Sequence, residues 1–144
     1  MKALIHTCLI LFVLFTACMH SDTASAEECI RELEGMSNFR KSEYSRVVFI
    51  PETGCVGCIS STLRFLIENQ EQLSQMKYAF VFVDVLDKKK LRNKIGYSLY
   101  NSDNVYFLYN CWKYQPLTKP MEVILHNGNP IQIAAWEPQT ISIQ

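Results

Sequence analysis

The chain carries no surplus charge of either sign: 14 Lys and Arg are matched by 14 Asp and Glu over 144 residues. A balance this flat projects no long-range field, and the only run of cations is Lys88-Lys89-Lys90, so the sequence argues against nucleic acid or another polyanion as partner. It has no internal repeat and no low-complexity block. No second CxxC and no HxxxH accompanies its one CxxC, so a metal site would have to gather Cys29, Cys111 or His126 from widely separated positions. Disorder is excluded, because 49% hydrophobic and 12% aromatic residues can bury enough surface to offset chain entropy. The length fits one domain.

What the chain does have is six cysteines and an apolar amino terminus. Residues 3–17 are almost wholly apolar behind Lys2, too short a stretch for an ordinary transmembrane helix, and residues 1–17 read as a signal peptide. Phe15-Thr16-Ala17-Cys18 resembles a lipobox, in which the cysteine becomes the lipidated first residue of a bacterial lipoprotein. Ala24-Ser25-Ala26 resembles the small-x-small site of ordinary secretion, and a retained anchor is the third possibility. Each places the domain outside the cytoplasm. We take Cys18 as the lipidation site, 18–26 as a tether and 27–144 as the domain, in the bacterial cell envelope and facing the periplasm or exterior, with a secreted soluble protein as the alternative. Removing residues 1–17 leaves a net charge of −1 and takes Cys8 away; with Cys18 lipidated or lost, Cys29, Cys55, Cys58 and Cys111 remain, enough for two disulfides in an oxidising compartment.

Along the mature chain, Ile30, Leu33 and Met36 fall at helical spacing and predict an amphipathic helix from Glu27 to about Arg40. Arg46 to Ile50, stopped by Pro51, predicts a buried strand. Ile59, Leu63, Leu66 and Ile67 predict a helix from the CxxC to about Gln72. Tyr78 to Leu86 is apolar on both faces, as in a strand covered on two sides. Asp87 can cap a basic helix that ends at Gly96, and Val105 to Tyr109 predicts another strand. Asn127-Gly128 between Met121 to Leu125 and Ile131 to Trp136 predicts a hairpin. This order implies an α/β fold with a mixed sheet flanked by helices.

Gly54-Cys55-Val56-Gly57-Cys58 stands at the expected strand-to-helix junction. A cysteine ahead of the first helical turn faces unpaired amide hydrogens, and the helix dipole stabilises its thiolate. Cys58 lies three residues on, within reach of a disulfide, so Cys55 can attack a partner and Cys58 can resolve the mixed disulfide. A structural disulfide and half of a zinc site are the competing readings.

From about Arg46 to Trp136, roughly two-thirds of the chain, this arrangement resembles a thioredoxin-like domain of the membrane-tethered bacterial kind. The resemblance rests on the buried strand, the CxxC at a helix start, the central strand, and Lys119-Pro120 before the Asn-Gly hairpin. It implies a thiol-disulfide oxidoreductase acting on envelope proteins that carry thiols or disulfides, without cofactor or metal. Cys55 matches the nucleophile and Cys58 the resolving cysteine. Pro120 matches the cis-proline, with Gly54, Lys119 and Pro120 as partner-binding positions. An ordinary trans proline is the alternative. Three departures stand out: Gly54 replaces the usual Trp, Phe49 stands where thioredoxins keep a buried acid, and residues 137–144 are too short for the full closing helix. Glu52 is the nearest acid for proton transfer, set against a solvated loop carboxylate. Lys119 either favours the Cys55 thiolate or is simply solvated. The runner-up function is a non-catalytic thioredoxin-fold lipoprotein that binds a partner, its CxxC disulfide structural.

Cys29 and Cys111 either form a second disulfide, stay as buried thiols, or supply an extra redox partner. Tyr106, Tyr109, Trp112 and Tyr114 are expected to pack in the core, or else to line a partner groove. His126 is expected to be exposed, and the Glu27–Arg40 helix to cover the sheet face left open at the carboxyl end.

Overall fold

The β-branched and aromatic runs become strands because each alternates its side chains between two apolar layers. In the computed structural model, which describes residues 24–36, 38–73, 75–113 and 116–138, β1 (Arg46–Pro51), β2 (Tyr78–Val83) and β3 (Val105–Leu108) are parallel neighbours. The hairpin of β4 (Met121–His126) and β5 (Asn129–Ala135) joins the other side of β1 antiparallel, giving the order β3-β2-β1-β4-β5. Asn127 and Gly128 turn the hairpin with φ of 52° and 78°, the left-handed values such a tight turn requires. The fold is α/β, a five-stranded mixed sheet flanked by helices. The expected signal peptide, Cys8, Cys18, Tyr114 and residues 139–144 lie outside the described residues, and with them most of the segment expected to be too short for a closing helix.

One layer is built by α2 (Val56–Glu68), α3 (Gln70–Leu73), α4 (Lys88–Ile95) and α5 (Tyr97–Tyr100). Their Ile59, Leu63, Leu66, Leu73, Ile95 and Leu99 pack on Val48, Ile50, Phe80 and Phe82 of the sheet. Both parallel crossovers lie on this face, as right-handed connections running in one direction must. The opposite face presents Val47, Phe49, Ala79, Val81 and Tyr106, and α1 (24–34) covers it with Ala26, Cys29, Ile30 and Leu33. The helix expected at the amino-terminal end of the domain therefore does close the open face. It is displaced, however: it already includes residues 24–26, with Ser25 and Ala26 buried, and Gly35 ends it.

Other boundaries shift for local reasons. β2 stops at Val83 rather than Leu86 because Asp84 turns left-handed (φ 57°) and its carboxylate accepts the Asn110 N–H at 2.7 Å. The long helix breaks at Asn69, and Ile67 falls off the apolar face to stand exposed. α4 matches its sequence signals: the Asp87 carboxylate accepts the Lys90 N–H at 2.8 Å, and Gly96 follows with φ 87°.

Two ties hold α1 to the rest. Cys29 pairs with Cys111 across a sequence separation of 82, with Cα atoms 4.9 Å apart, and Glu28 accepts from Lys113 beside them. A second anchor follows α1. Phe39 lies against Tyr44 and Tyr106, and the Tyr44 and Tyr106 hydroxyls share a 2.7 Å hydrogen bond. Tyr106 and Trp112 are core residues, whereas Tyr109 is part-exposed and donates to the Val85 carbonyl, so these three described aromatics do not line one groove.

Two predictions follow from these anchors. Replacing Cys29 and Cys111 together by Ala should lower unfolding stability by about 4 kcal/mol through loop entropy, measured by denaturant unfolding against the oxidised wild type. Burial, then the bond to Tyr44, holds the Tyr106 hydroxyl far above its usual range, and burial also raises Tyr44 and Tyr78. The unfolded chain thus loses these protons from about pH 10 while the folded chain keeps them. Stability should be flat below that pH and fall above it, and Tyr106→Phe should flatten the fall in unfolding curves taken from pH 8 to 11.

Candidate functional site

Val48 and Ile50 of β1 point into the helical layer, and the strand delivers the chain directly to the start of α2. Cys55 is the N-cap of α2: its carbonyl accepts the Ile59 N–H at 3.0 Å, and its Sγ accepts the Cys58 N–H at 3.3 Å. The sulfur is thus fixed against the unpaired donors of the helix, where the macrodipole favours negative charge. Cys55 and Cys58 are joined, Cα atoms 5.3 Å apart, with Cys55 exposed and Cys58 half-buried. The Cys29–Cys111 pair, in contrast, has no exposed surface. Among the described cysteines, only those of the CxxC have sulfurs reachable by another protein.

Gly54 explains how the loop before Cys55 is held. Its φ is 133°, outside the range of ordinary side chains, and a Cβ there would sit 2.1 Å from the Thr118 carbonyl oxygen. The vacated space lets two backbones meet, so that Cys55 donates its N–H to the Thr118 oxygen at 2.6 Å. A Trp at this position, the usual residue in the resembled family, has no room. Thr118 is the residue that sequence reading missed; the signal was Gly54, placed where a bulky residue is ordinary.

The other expected site residues separate. Pro120 is buried, follows a trans bond rather than the expected cis one, and accepts the Trp136 N–H at 2.9 Å. The approach to Cys55 is made two residues earlier, by Thr118, so the loop meets the cysteine without a cis turn. Lys119 is exposed. The Glu52 carboxylate accepts the Leu86 N–H at 2.6 Å and ties the CxxC loop to the turn after β2. Phe49 faces the α1 layer against Trp112, ring centroids 5.4 Å apart. His126 is exposed at the hairpin, far in sequence from any other ligand type, and no cluster of three His, Cys, Asp or Glu suited to a metal occurs among the described residues. Among those residues, too, no helix is long and apolar enough to cross a membrane.

Gly54→Ala should therefore cost about 2–4 kcal/mol in unfolding stability and raise the alkylation rate of reduced Cys55 by loosening its loop; a variant as stable as wild type would contradict the close approach. No protein-family model, curated protein or solved structure matches this chain, so its function is argued from this site.

Proposed function

We propose that the protein is an extracytoplasmic thioredoxin-like thiol-disulfide oxidoreductase. The observation that carries this reading is the exposed Cys55 sulfur at the amino end of α2, bonded to Cys58 and receiving its backbone N–H. The β1-α2-β2 unit with the β4-β5 hairpin beside β1 supports a thioredoxin-like fold, since it puts the CxxC and the proline loop at one end of the sheet. Two disulfides in one small domain support an oxidising compartment. Burial of Ser25 and Ala26 favours processing before Cys18 over cleavage after Ala26, and hence a lipid-anchored envelope protein.

In the oxidising direction, a partner thiolate attacks the Cys55 sulfur, the Cys55–Cys58 bond breaks, and Cys58 leaves as a thiolate that takes a proton from water. A second partner thiolate then attacks the partner sulfur of the mixed disulfide. The partner gains a disulfide and loses two electrons, and the CxxC holds two thiols. The reverse sequence reduces a partner. The trans Pro120 and Phe49 favour the second reading, a non-catalytic partner-binding lipoprotein.

The test uses the full chain in glutathione buffers. Cys55 should alkylate with a pKa below the ordinary cysteine value of about 8.5. Cys58→Ser should accumulate a mixed disulfide on Cys55, and Cys55→Ser should accumulate none. A Cys55–Cys58 bond that resists reduction until the domain unfolds would refute exchange and leave the binding role.

A further inference from the structure

The charge that cancels over the whole chain is not evenly spread. Residues 88–94 contain five cations, Lys88, Lys89, Lys90, Arg92 and Lys94. Lys88 lies over the rings of Phe107 and Tyr109, at 5.1 and 5.3 Å. The other four have no ion pair among the described residues. The nearby acids accept backbone N–H groups and form no ion pair with these cations, though they keep their charge: Asp84 on the Asn110 N–H, Asp87 on the Lys90 N–H and Glu52 on the Leu86 N–H.

Lys90 and Lys94, one helical turn apart, edge a cleft of about 130 Å³ between α2 and α4, floored by Ile59, Leu63, Phe82 and Val85, with Glu52 at its rim. An apolar cavity of about 150 Å³ holds one benzene ring, so this one suits a single aliphatic side chain. Cys55 does not line the cleft itself, but Glu52, three residues before it, and Ile59, four residues after it, both do, so the cleft begins about one helical turn from the sulfur. Ile59 is displaced from Cys55 by about 6 Å along the helix axis, a span that two residues of an extended partner cover. Two of the most exposed apolar side chains flank the same region: Val56 at 76% and Leu86 at 89%.

We propose that the α2–α4 cleft selects the partner of the Cys55–Cys58 pair, and that the partner is an acidic polypeptide segment. An aliphatic side chain two residues from the partner's cysteine fills the cleft, and an adjacent Asp or Glu pairs with Lys90 and Lys94. The assignment rests on the exchange reading and adds the partner's chemistry to it. An anionic lipid surface would attract the same cations, but the lysines border a one-side-chain cleft that begins about one helical turn from Cys55, which a headgroup layer has no means to use.

The test is a competition for Cys55 in the full chain carrying Cys58→Ser, which traps mixed disulfides. Three peptides of equal length, with Leu two residues from Cys and flanked by Glu, Gln or Lys, each supplied as its 2-thiopyridyl disulfide, compete: the Cys55 thiolate attacks the peptide sulfur, pyridine-2-thione leaves, and mass spectrometry reads the products. Relative to the same chain with Lys90→Gln and Lys94→Gln, the Glu peptide should be favoured over the Gln peptide by about three- to tenfold at low salt, and the preference should shrink at 0.5 M salt. Changing the peptide Leu to Gly should remove most of it. Equal product distributions in the two chains overturn the assignment, as does binding of α4 to phosphatidylglycerol vesicles without any peptide preference. Failure of both chains to react with uncharged hydroxyethyl disulfide overturns the exchange reading itself, and the cleft assignment with it.

Discussion

Cys55 donates its backbone N–H to Thr118 across 2.6 Å, and that contact exists only because residue 54 has no Cβ. The rest of the site is arranged around it. Through Thr118 the CxxC loop is fixed to the segment entering β4, and Pro120 in turn accepts the Trp136 N–H beyond the end of β5. Through Glu52 and the Leu86 N–H, the same loop is fixed to the turn between β2 and α4. Three connections that are distant in sequence thus converge on the first turn of α2. A side chain at position 54 would push the Thr118 strand away and break the convergence, which is why a small residue matters more here than the aromatic surface it replaces.

The two disulfides have opposite environments because they do different physical work. Cys29–Cys111 closes a loop of more than eighty residues under α1, where its value lies in restricting the unfolded chain, and full burial protects it from exchange. Cys55–Cys58 spans three residues, so it restricts the unfolded chain far less and stays exposed at a helix terminus, where a thiolate is stabilised. Geometry alone therefore divides four thiols into a staple and a reachable pair.

Much of this was legible in the sequence, for reasons that can be named. Strand positions followed from alternation and β-branching, α4 from its Asp87 cap and Gly96 stop, and the hairpin from Asn127-Gly128, all local signals that tertiary structure did not override. The errors were tertiary. The end of β2 depended on Asp84 reaching Asn110, 26 residues away, and the start of α1 on a burial that small residues 24–26 do not advertise. At the site, the CxxC junction was readable, whereas Thr118 was not, because a backbone-to-backbone contact leaves no mark on the contacting residue's own side chain. The cation cluster was visible as a run, but its orientation beside the Cys55 face required the α2–α4 packing.

The proton chemistry of the site follows from what surrounds it. β1 alternates, so Phe49 turns into the α1 layer and no carboxylate lies beneath the cysteines from that strand, while Glu52 has its carboxylate committed to Leu86. Phe49 carries no proton to pass to Cys58. On the exchange reading, stabilisation of the sulfur anions comes from the amides at the start of α2, and the proton on Cys58 comes from water, which its half-exposed position admits. The exposed Lys119, next to Thr118, and the lysines of α4 at the cleft both offer positive charge to an acidic partner.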